Sequence, residues 1–290
     1  MDTRELLKKV RRIEIKTRRL SNHIFSGEYH SSFKGRGISF SEVRAYQYGD
    51  DIRSIDWNVS ARLREPYVKV FEEERELTLM IVADISGSGN FGSKSQMRRD
   101  VITEIGATLA FSALLNNDKV GLLLFSDRIE RFIPPQKGRF QVLRIIREML
   151  ECKPSGQGTD INQALQYLNA VQRKRGIVFL LSDFLNDGYE KSLRLTARRH
   201  DLIGFRIWDA FEKQLPNLGV SPVLDAENGH LQWIDFGDKR VQRHYNEQMQ
   251  RFASNFSRFV QTSGAGKIEM QLGHSYAQSL LAFFKSRNKR

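Results

Sequence analysis

The chain has 290 residues, a formal net charge of +12, 40% hydrophobic residues and 28% charged residues. This composition is typical of soluble globular proteins and excludes a disordered or fibrous chain, which would lack the apolar side chains for a core. The longest apolar runs stop at six or seven residues, whereas a membrane-spanning helix needs ~20.

The N-terminus and the cysteine content indicate where the protein works. The first twenty residues are charged throughout and lack the apolar stretch of a secretory signal. The single cysteine, Cys152, excludes an internal disulfide and a cysteine-based metal cluster. We therefore predict a cytoplasmic protein without a membrane span.

Most of the positive charge lies at the two ends of the chain. Residues 1–20 carry a net charge of +5 and residues 285–290 carry +4, so the body of the chain is nearly balanced. Nucleic-acid binders usually show a basic face on the folded body instead. We therefore predict that nucleic acid is not the partner, and binding of nucleic acid or an acidic surface through the tails remains an alternative.

The first predicted domain comprises residues 1–75. Apolar side chains at helical spacing predict a basic amphipathic helix that docks on the body, with a partner- or membrane-contacting arm as the alternative. These side chains are Leu6, Val10, Ile13, Thr17, Leu20 and Ile24. Residues 26–75 are rich in Gly, Tyr, Arg and Asp and predict short strands and loops.

The second predicted domain comprises residues 76–290, where short apolar strands alternate with amphipathic helices. The strands are Leu77–Ala83, Val120–Phe125, Arg128–Ile133, Gly176–Leu181 and Leu202–Trp208. The helices are Ser95–Leu115, Arg139–Leu150, Ile161–Val171, Gly188–Arg199, 238–263 and 275–287. This alternation predicts an α/β fold with a doubly wound, mainly parallel sheet and helices on both faces. Turn residues within 210–236 predict an inserted hairpin.

Three polar groups fall at the carboxyl edge of this predicted sheet, where open α/β sheets bind ligands. They are Asp84–Ser88 after the first core strand, Gly158–Asp160 before a helix, and Ser182-Asp183 after a later strand. Their hydroxyl and carboxylate oxygens suit a hard divalent cation such as Mg²⁺. Because the hydroxyls are neutral, the charge of the ion stays incompletely neutralised, and a vacant position would attract a carboxylate from another molecule.

The pattern Asp-x-Ser-x-Ser after a buried strand, with a later Thr and a later Asp, resembles the metal-ion-dependent adhesion site of von Willebrand factor type A domains. The resemblance implies the fold of those domains and a site for Mg²⁺, with Mn²⁺ or Ca²⁺ as other candidates. Its implied metal ligands are Asp84, Ser86, Ser88, Thr159 and Asp183. Gly89 and Phe184 stand where many members have Met and Gly, but neither change removes a ligand oxygen.

A longer signature resembles the "domain of unknown function" family fifty-eight. It comprises Phe33–Gly37, Arg44–Trp57, Ala61-Arg62 and parts of Glu212–Gln232. Members of that family commonly occur beside MoxR-type AAA+ ATPases, and the pair is thought to act in maturation of other protein complexes or in metal insertion into them. The resemblance therefore implies a MoxR-type AAA+ ATPase as partner.

Two other kinds of site fit the sequence less well. Gly87–Ser95 departs from a phosphate-binding P-loop, because Ser93 stands where Lys is required and Lys94 is one position late. A metal-dependent phosphohydrolase remains a further alternative, although the six histidines fall at no ligand-like spacing. We predict a non-enzymatic, metal-dependent protein-interaction module, in which Mg²⁺ bridges to an Asp or Glu of a client or of the ATPase.

Overall fold

The computed structural model describes residues 10–17, 39–72, 77–87, 97–156, 158–213, 218–224 and 231–288. Several sequence-based predictions fall outside these ranges. They concern Ser88, the Phe33–Gly37 part of the family signature, its parts at 214–217 and 225–230, the P-loop comparison at 88–96, and most of the basic tail at 1–20.

The chain divides into two compact units, residues 33–77 and the remainder. Residues 10–17 are helical and belong to the larger unit, whereas the sequence pattern placed this helix in the first domain, residues 1–75. Lys16 pairs with Glu104 at 2.6 Å, and Glu14 accepts a hydrogen bond from Arg139 at 2.8 Å. The described part of the predicted N-terminal helix therefore contacts the body of its own chain.

The smaller unit is built on an antiparallel pair of strands. β1 (Ser39–Ala45) pairs with β2 (Tyr67–Glu72), and a 3-10 turn (Ile52–Ser54) and helix α1 (Trp57–Leu63) connect them. The sequence pattern predicted only strands and loops here and missed α1. This helix begins because the Asp56 carboxylate accepts hydrogen bonds from the Asn58 and Val59 backbone N–H groups, which is a local capping interaction that periodicity does not register.

The charged stretch between residues 44 and 62 forms local contacts. Arg44 donates two hydrogen bonds to Asp50, at 2.7 and 2.8 Å, and the pKa of that carboxyl lies below its ordinary value because of this pairing. Asp51 caps the 3-10 turn in the same way that Asp56 caps α1. These charges therefore fix turns and helix ends within the smaller unit.

The larger unit contains a six-stranded sheet. The strands are β3 (Thr78–Asp84), β4 (Lys119–Phe125), β5 (Ile129–Gln136), β6 (Ile177–Ser182), β7 (Asp201–Trp208) and β10 (Gly266–Gln271). They lie in the order β10-β7-β6-β3-β4-β5. β5 is antiparallel to β4, and the other neighbouring strands are parallel, so the predicted mainly parallel α/β fold is confirmed. β10 was missed because only alternate residues of this edge strand are buried.

Helices and a hairpin complete the larger unit. The helices are α2 (Arg98–Leu115), α3 (Arg139–Glu151), α4 (Ile161–Val171), α5 (Glu190–Arg199), α6 (Ala210–Lys213), α7 (Lys239–Ser263) and α8 (Tyr276–Asn288). The predicted inserted hairpin is present as β8 (Val220–Leu224) paired antiparallel with β9 (Leu231–Asp235). Among the described residues, no helix has both the length and the apolar character needed to cross a bilayer.

The core follows from the apolar runs of the central strands. Every residue of β6 is buried, as are all residues of β3 and β4 except the first of each. Such strands occur where helices cover both faces of a parallel sheet. Their side chains pack with those of α4, α5 and α7 in one cluster, which holds the carboxyl ends of the strands in fixed positions.

We expect Leu180→Ala to lower the free energy of unfolding by about 2–5 kcal/mol, because Leu180 is fully buried on a central strand and its truncation leaves a cavity. Leu195→Ala is the matched control, since Leu195 is 45% exposed on α5 and should change stability by only about 0.5 kcal/mol. Urea denaturation followed by circular dichroism measures both. Equal losses in the two variants would contradict this account of the core.

Candidate metal site

The predicted site residues lie where the strand order of the sheet reverses. The chain passes from β3 to β4 on one side of the sheet and later from β6 to β7 on the other, so the crevice between β3 and β6 is a topological switch point. Asp84 is the last residue of β3, and Asp183 directly follows β6. Open α/β sheets bind ligands at this kind of position.

Asp84 is buried and is held by hydrogen bonds through both of its carboxylate oxygens. The Ser86 backbone N–H donates to Oδ1 at 2.9 Å, and the Ser182 hydroxyl donates to Oδ2 at 2.7 Å. The Ser86 side chain also hydrogen-bonds with this carboxylate. The three residues therefore converge across the β3–β6 crevice, although Ser86 and Ser182 are nearly a hundred positions apart.

Burial and the nearby charge of Asp183 raise the pKa of Asp84 to about 6. Burial is the larger cause, because it removes the carboxylate from water, and repulsion by the Asp183 carboxylate adds to it. The hydrogen bonds from Ser86 and Ser182 act in the opposite direction. Without a cation at this point of the fold, ionisation of Asp84 is therefore costly.

Asp183 is also buried, and a basic side chain contacts it. Arg98 donates from Nη1 to Asp183 Oδ2 at 2.5 Å, and the Leu185 backbone N–H donates to Oδ1 at 3.1 Å. Arg98 also donates from Nη2 to Glu212 Oε1 at 2.8 Å, and Arg206 donates to the other Glu212 oxygen at 2.6 Å. The second predicted carboxylate ligand is therefore part of a buried ion-pair network.

Thr159 reaches the same edge of the sheet through its backbone. The Asn186 side chain, on the loop after β6, donates to the Thr159 carbonyl at 2.7 Å, and the Asp160 N–H donates to the carbonyl of Ser126, just past β4. Asp160 itself caps α4 by accepting from the Gln163 N–H at 2.8 Å. Asp160, which the sequence places beside Thr159, therefore serves as a helix cap.

Glu130 on β5 fixes the loop that carries Thr159. Its carboxylate accepts hydrogen bonds from Ser126, from both the backbone and side chain of Ser155, and from the Gly156 N–H, at 2.6 to 2.9 Å. Partial burial alone would raise the pKa of Glu130, but these hydrogen bonds outweigh it and hold the pKa below its ordinary value. A Cβ at Gly156 would overlap the side chains of Ser126 and Asp127, which would have to move to admit it.

Phe184 stands where a glycine would be expected, and the structure shows how this position accommodates a phenylalanine. Its backbone has φ 58°, in the left-handed region that favours glycine, which is the residue that many von Willebrand factor A-like sequences have at this place. The side chain is fully buried, and its ring centroid lies 4.3 Å from that of Phe256 on α7. Aromatic packing thus offsets the strain of the turn directly after Asp183.

The donor set suits a hard divalent cation. The side chains of the predicted ligands offer only oxygen atoms, which Mg²⁺ prefers. The structure brings Asp84, Ser86 and Asp183 to one crevice, and the backbone of Thr159 lies beside the same loops. Among the described residues, Asp84 has no ion-pair partner, and its carboxylate lies within the field of Asp183. A cation there would relieve the repulsion that raises its pKa.

The structure also brings in residues that the sequence pattern did not identify. Arg98, Arg206 and Glu130 contact the predicted ligands or their loop, and no spacing distinguishes them from the many other charged residues. Glu212 had a usable signal, because Asp209-x-x-Glu212 has the form of a capping box. The structure contains this capping box: the Phe211 N–H donates to the Asp209 carboxylate, and the Asp209 N–H donates to the Glu212 carboxylate, each at 2.9 Å.

Comparison with solved structures gives similar folds at low sequence identity. The conserved hypothetical protein BatB from Bacteroides thetaiotaomicron is 14% identical, the match covers 74% of this chain and 100% of that chain, and the TM-score is 0.45. For the SpRpn10 VWA domain the identity is 13%, the coverage is 71% and 93%, and the TM-score is 0.38.

Comparison of sequences gives a match over most of the chain. An uncharacterized protein from Mycobacterium tuberculosis (strain H37Rv) is 26% identical over 293 residues, covering 100% of this chain and 92% of that protein. The family model described as "Protein of unknown function DUF58" matches residues 42–254, which is more than half of the chain.

We expect Asp84→Asn to stabilise the metal-free protein at pH 7.5. The pKa of Asp84 is about 6 in the folded chain against 3.8 ordinarily, so its ionisation costs on the order of 3 kcal/mol of stability above pH 6 and nothing below pH 4. The wild type should therefore lose stability relative to Asp84→Asn as pH rises from 4 to 6. Urea denaturation in EDTA at several pH values measures this difference.

Asp50→Asn is the control, because pairing with Arg44 lowers the pKa of Asp50. Its substitution should destabilise the protein, and that loss should fade as pH falls through the folded-state pKa. A pH-independent difference between wild type and Asp84→Asn would contradict the account of the buried carboxylates.

We expect Glu130→Gln to loosen the loop that carries Thr159, because an amide cannot accept the full set of hydrogen bonds that the carboxylate accepts. Amide hydrogen exchange over residues 153–160 should accelerate about tenfold, as expected for the loss of about 1.4 kcal/mol of charge-assisted hydrogen bonding. Glu151→Gln removes an exposed carboxylate paired with Arg147 and should leave that exchange unchanged. Equal exchange in the two variants would show that Glu130 does not hold the loop.

Proposed function

We propose that this chain, which belongs to the DUF58 family of proteins of unknown function, is a non-catalytic protein-interaction module that depends on a divalent metal. Asp84, Ser86, Ser88, Thr159 and Asp183 would hold the ion, for which Mg²⁺ is the first candidate and Mn²⁺ and Ca²⁺ are the others. When bound, the ion supplies a coordination position for an Asp or Glu carboxylate of a partner protein.

The observation that carries this proposal is the pair of buried carboxylates at the β3–β6 crevice. Burial and, to a smaller extent, repulsion by Asp183 raise the pKa of Asp84, and hydroxyl-bearing residues stand beside these carboxylates. Arg98 compensates the charge of Asp183, whereas Asp84 has no ion-pair partner among the described residues, and a buried charge without a countercharge is costly. The carboxyl ends of two adjacent strands therefore support a cation at this place.

The neutral donors favour an interaction role. Three of the five proposed ligands are hydroxyl groups, so the chain compensates the charge of a divalent ion only in part. A carboxylate from a partner would complete the compensation, which gives the partner an electrostatic reason to bind and makes binding depend on the metal. The partner residue would be an Asp or Glu on a convex surface, because a buried carboxylate could not reach the edge of the sheet.

The partner that we propose is a MoxR-type AAA+ ATPase, on the basis of the family to which the chain belongs. In that role the chain would act as an adaptor in the maturation of other protein complexes. The basic tails, residues 1–20 and 285–290, would add electrostatic attraction to an acidic surface.

The phosphohydrolase alternative has less support. Such enzymes often hold two metal ions or use histidine ligands. In the part of the chain that the structure describes, no three His, Cys, Asp or Glu side chains are grouped so that they could hold a metal. Nothing in the described residues favours nucleic-acid binding over the interaction role.

We expect the wild type to bind Mg²⁺ in isothermal titration calorimetry and to capture the MoxR-type AAA+ ATPase of the same organism only when divalent metal is present. Asp84→Ala should lose at least tenfold in Mg²⁺ affinity and should fail to capture the ATPase, because it removes a charged ligand. EDTA should have the same effect on the wild type.

Asp50→Ala is the matched control, because it removes an acidic residue of the smaller unit that pairs with Arg44. It should bind Mg²⁺ and the ATPase as the wild type does. Capture of the ATPase that is equal in wild type, Asp84→Ala and EDTA would refute metal-dependent interaction, and absence of Mg²⁺, Mn²⁺ and Ca²⁺ binding by the wild type would refute the metal site.

A further inference from the structure

A buried arginine faces the proposed metal site from the helix that follows it in sequence. Arg98 is the first residue of α2, and its side chain is only 3% exposed. One guanidinium nitrogen lies 2.5 Å from Asp183 Oδ2, and the other lies 2.8 Å from Glu212 Oε1. Arg98 thus divides its charge between a proposed metal ligand and a carboxylate on α6.

The network continues from Glu212 to the sheet. Arg206, on β7, contacts Glu212 Oε2 at 2.6 Å and donates from Nε to the Asp183 carbonyl at 3.1 Å. Burial raises the pKa of Glu212, while Arg98 and Arg206 act against that increase. Arg98 therefore contacts the carboxylates of both Asp183 and Glu212, and Arg206 contacts the Glu212 carboxylate. Asp84 is the carboxylate of this cluster that has no ion-pair partner among the described residues.

We propose that Arg98 is a built-in countercharge that weakens cation binding at the Asp84–Asp183 site. This inference rests on the proposed function, since it concerns the affinity of that site. The guanidinium occupies one oxygen of Asp183 and so places a positive charge directly on a residue that would hold the ion. In a buried site with low dielectric screening, that charge opposes a second cation far more than it would in water.

Glu212 determines how strongly the positive charge of Arg98 acts at Asp183. Because Glu212 binds both Arg98 and Arg206, its negative charge offsets theirs. Removing the Glu212 charge would leave the guanidinium of Arg98 without this compensation. The cation would then compete with a less compensated arginine, and its affinity would fall.

The two ends of this network therefore give opposite predictions for metal affinity. Arg98→Met removes the positive charge but keeps an apolar side chain of similar length, and it should bind Mg²⁺ at least tenfold more tightly than the wild type. Glu212→Gln keeps the shape of the side chain but removes the negative charge, and it should bind Mg²⁺ several-fold more weakly. Both variants should unfold at lower temperature than the wild type without metal, because each breaks a buried pair.

The opposite signs distinguish a countercharge from a structural role. Damage to the site by loss of stability would weaken Mg²⁺ binding in both variants alike. The experiment is isothermal titration calorimetry of the full chain with Mg²⁺ at low temperature, where circular dichroism shows each variant to be folded, with Mn²⁺ binding followed by electron paramagnetic resonance as a second measurement. Arg147→Met, which removes an exposed arginine paired with Glu151, is the control and should leave affinity unchanged.

Three results of these binding measurements separate a countercharge from a structural role and from the absence of a metal site. Tighter binding by Arg98→Met together with weaker binding by Glu212→Gln supports the countercharge. Equal or weaker binding by Arg98→Met, with binding by the wild type intact, overturns it and leaves the metal site standing. No binding of either ion by any variant refutes the metal site itself.

A further variant covers the case in which Arg98→Met does not fold. Arg98→Lys keeps the charge and should bind Mg²⁺ within about threefold of the wild type, so that Glu212→Gln carries the test. Wild-type affinity in Glu212→Gln would then overturn the proposal.

Discussion

The confinement of two carboxylates, Asp84 and Asp183, at the ends of adjacent buried strands is the constraint on which the rest of the site depends. Their hydrogen bonds and ion pairs are arranged to tolerate that negative charge. Ser182 donates to Asp84, Arg98 donates to Asp183, and the pKa of Asp84 is still raised to about 6. The remaining imbalance is the physical argument for the cation and the acidic partner that we propose at the β3–β6 crevice.

The surrounding fold serves to keep these groups in place. The central strands are buried on both faces, so their carboxyl ends have little freedom, and the loops that follow them are tied down by polar contacts. Glu130 holds the loop before α4, and the aromatic packing of Phe184 fixes the turn after Asp183. A site preorganised in this way would bind the proposed ion without first ordering its own ligands.

The ion-pair network connects the site with more distant elements. Arg98 at the start of α2 contacts the Asp183 carboxylate, and Arg206 on β7 contacts the Asp183 carbonyl. Glu212 on α6 binds both arginines and so joins these two elements. Buried pairs of this kind contribute little net stability, because desolvation cancels much of their attraction. We propose that their role is to set the charge that an ion or a partner would meet at the edge of the sheet.

The sequence alone determined the alternation of strands and helices, the hairpin and the grouping of Asp84, Ser86 and Asp183, because apolar periodicity and strand-end polar residues are local signals. It could not determine α1, which a capping carboxylate starts, or β10, whose burial depends on its neighbours. Nor could it find Arg98 beside Asp183, since these residues are 85 positions apart and only the packing of α2 against the sheet edge brings them together. Local chemistry is encoded within a few residues, whereas the partner of a buried charge is decided by the tertiary structure.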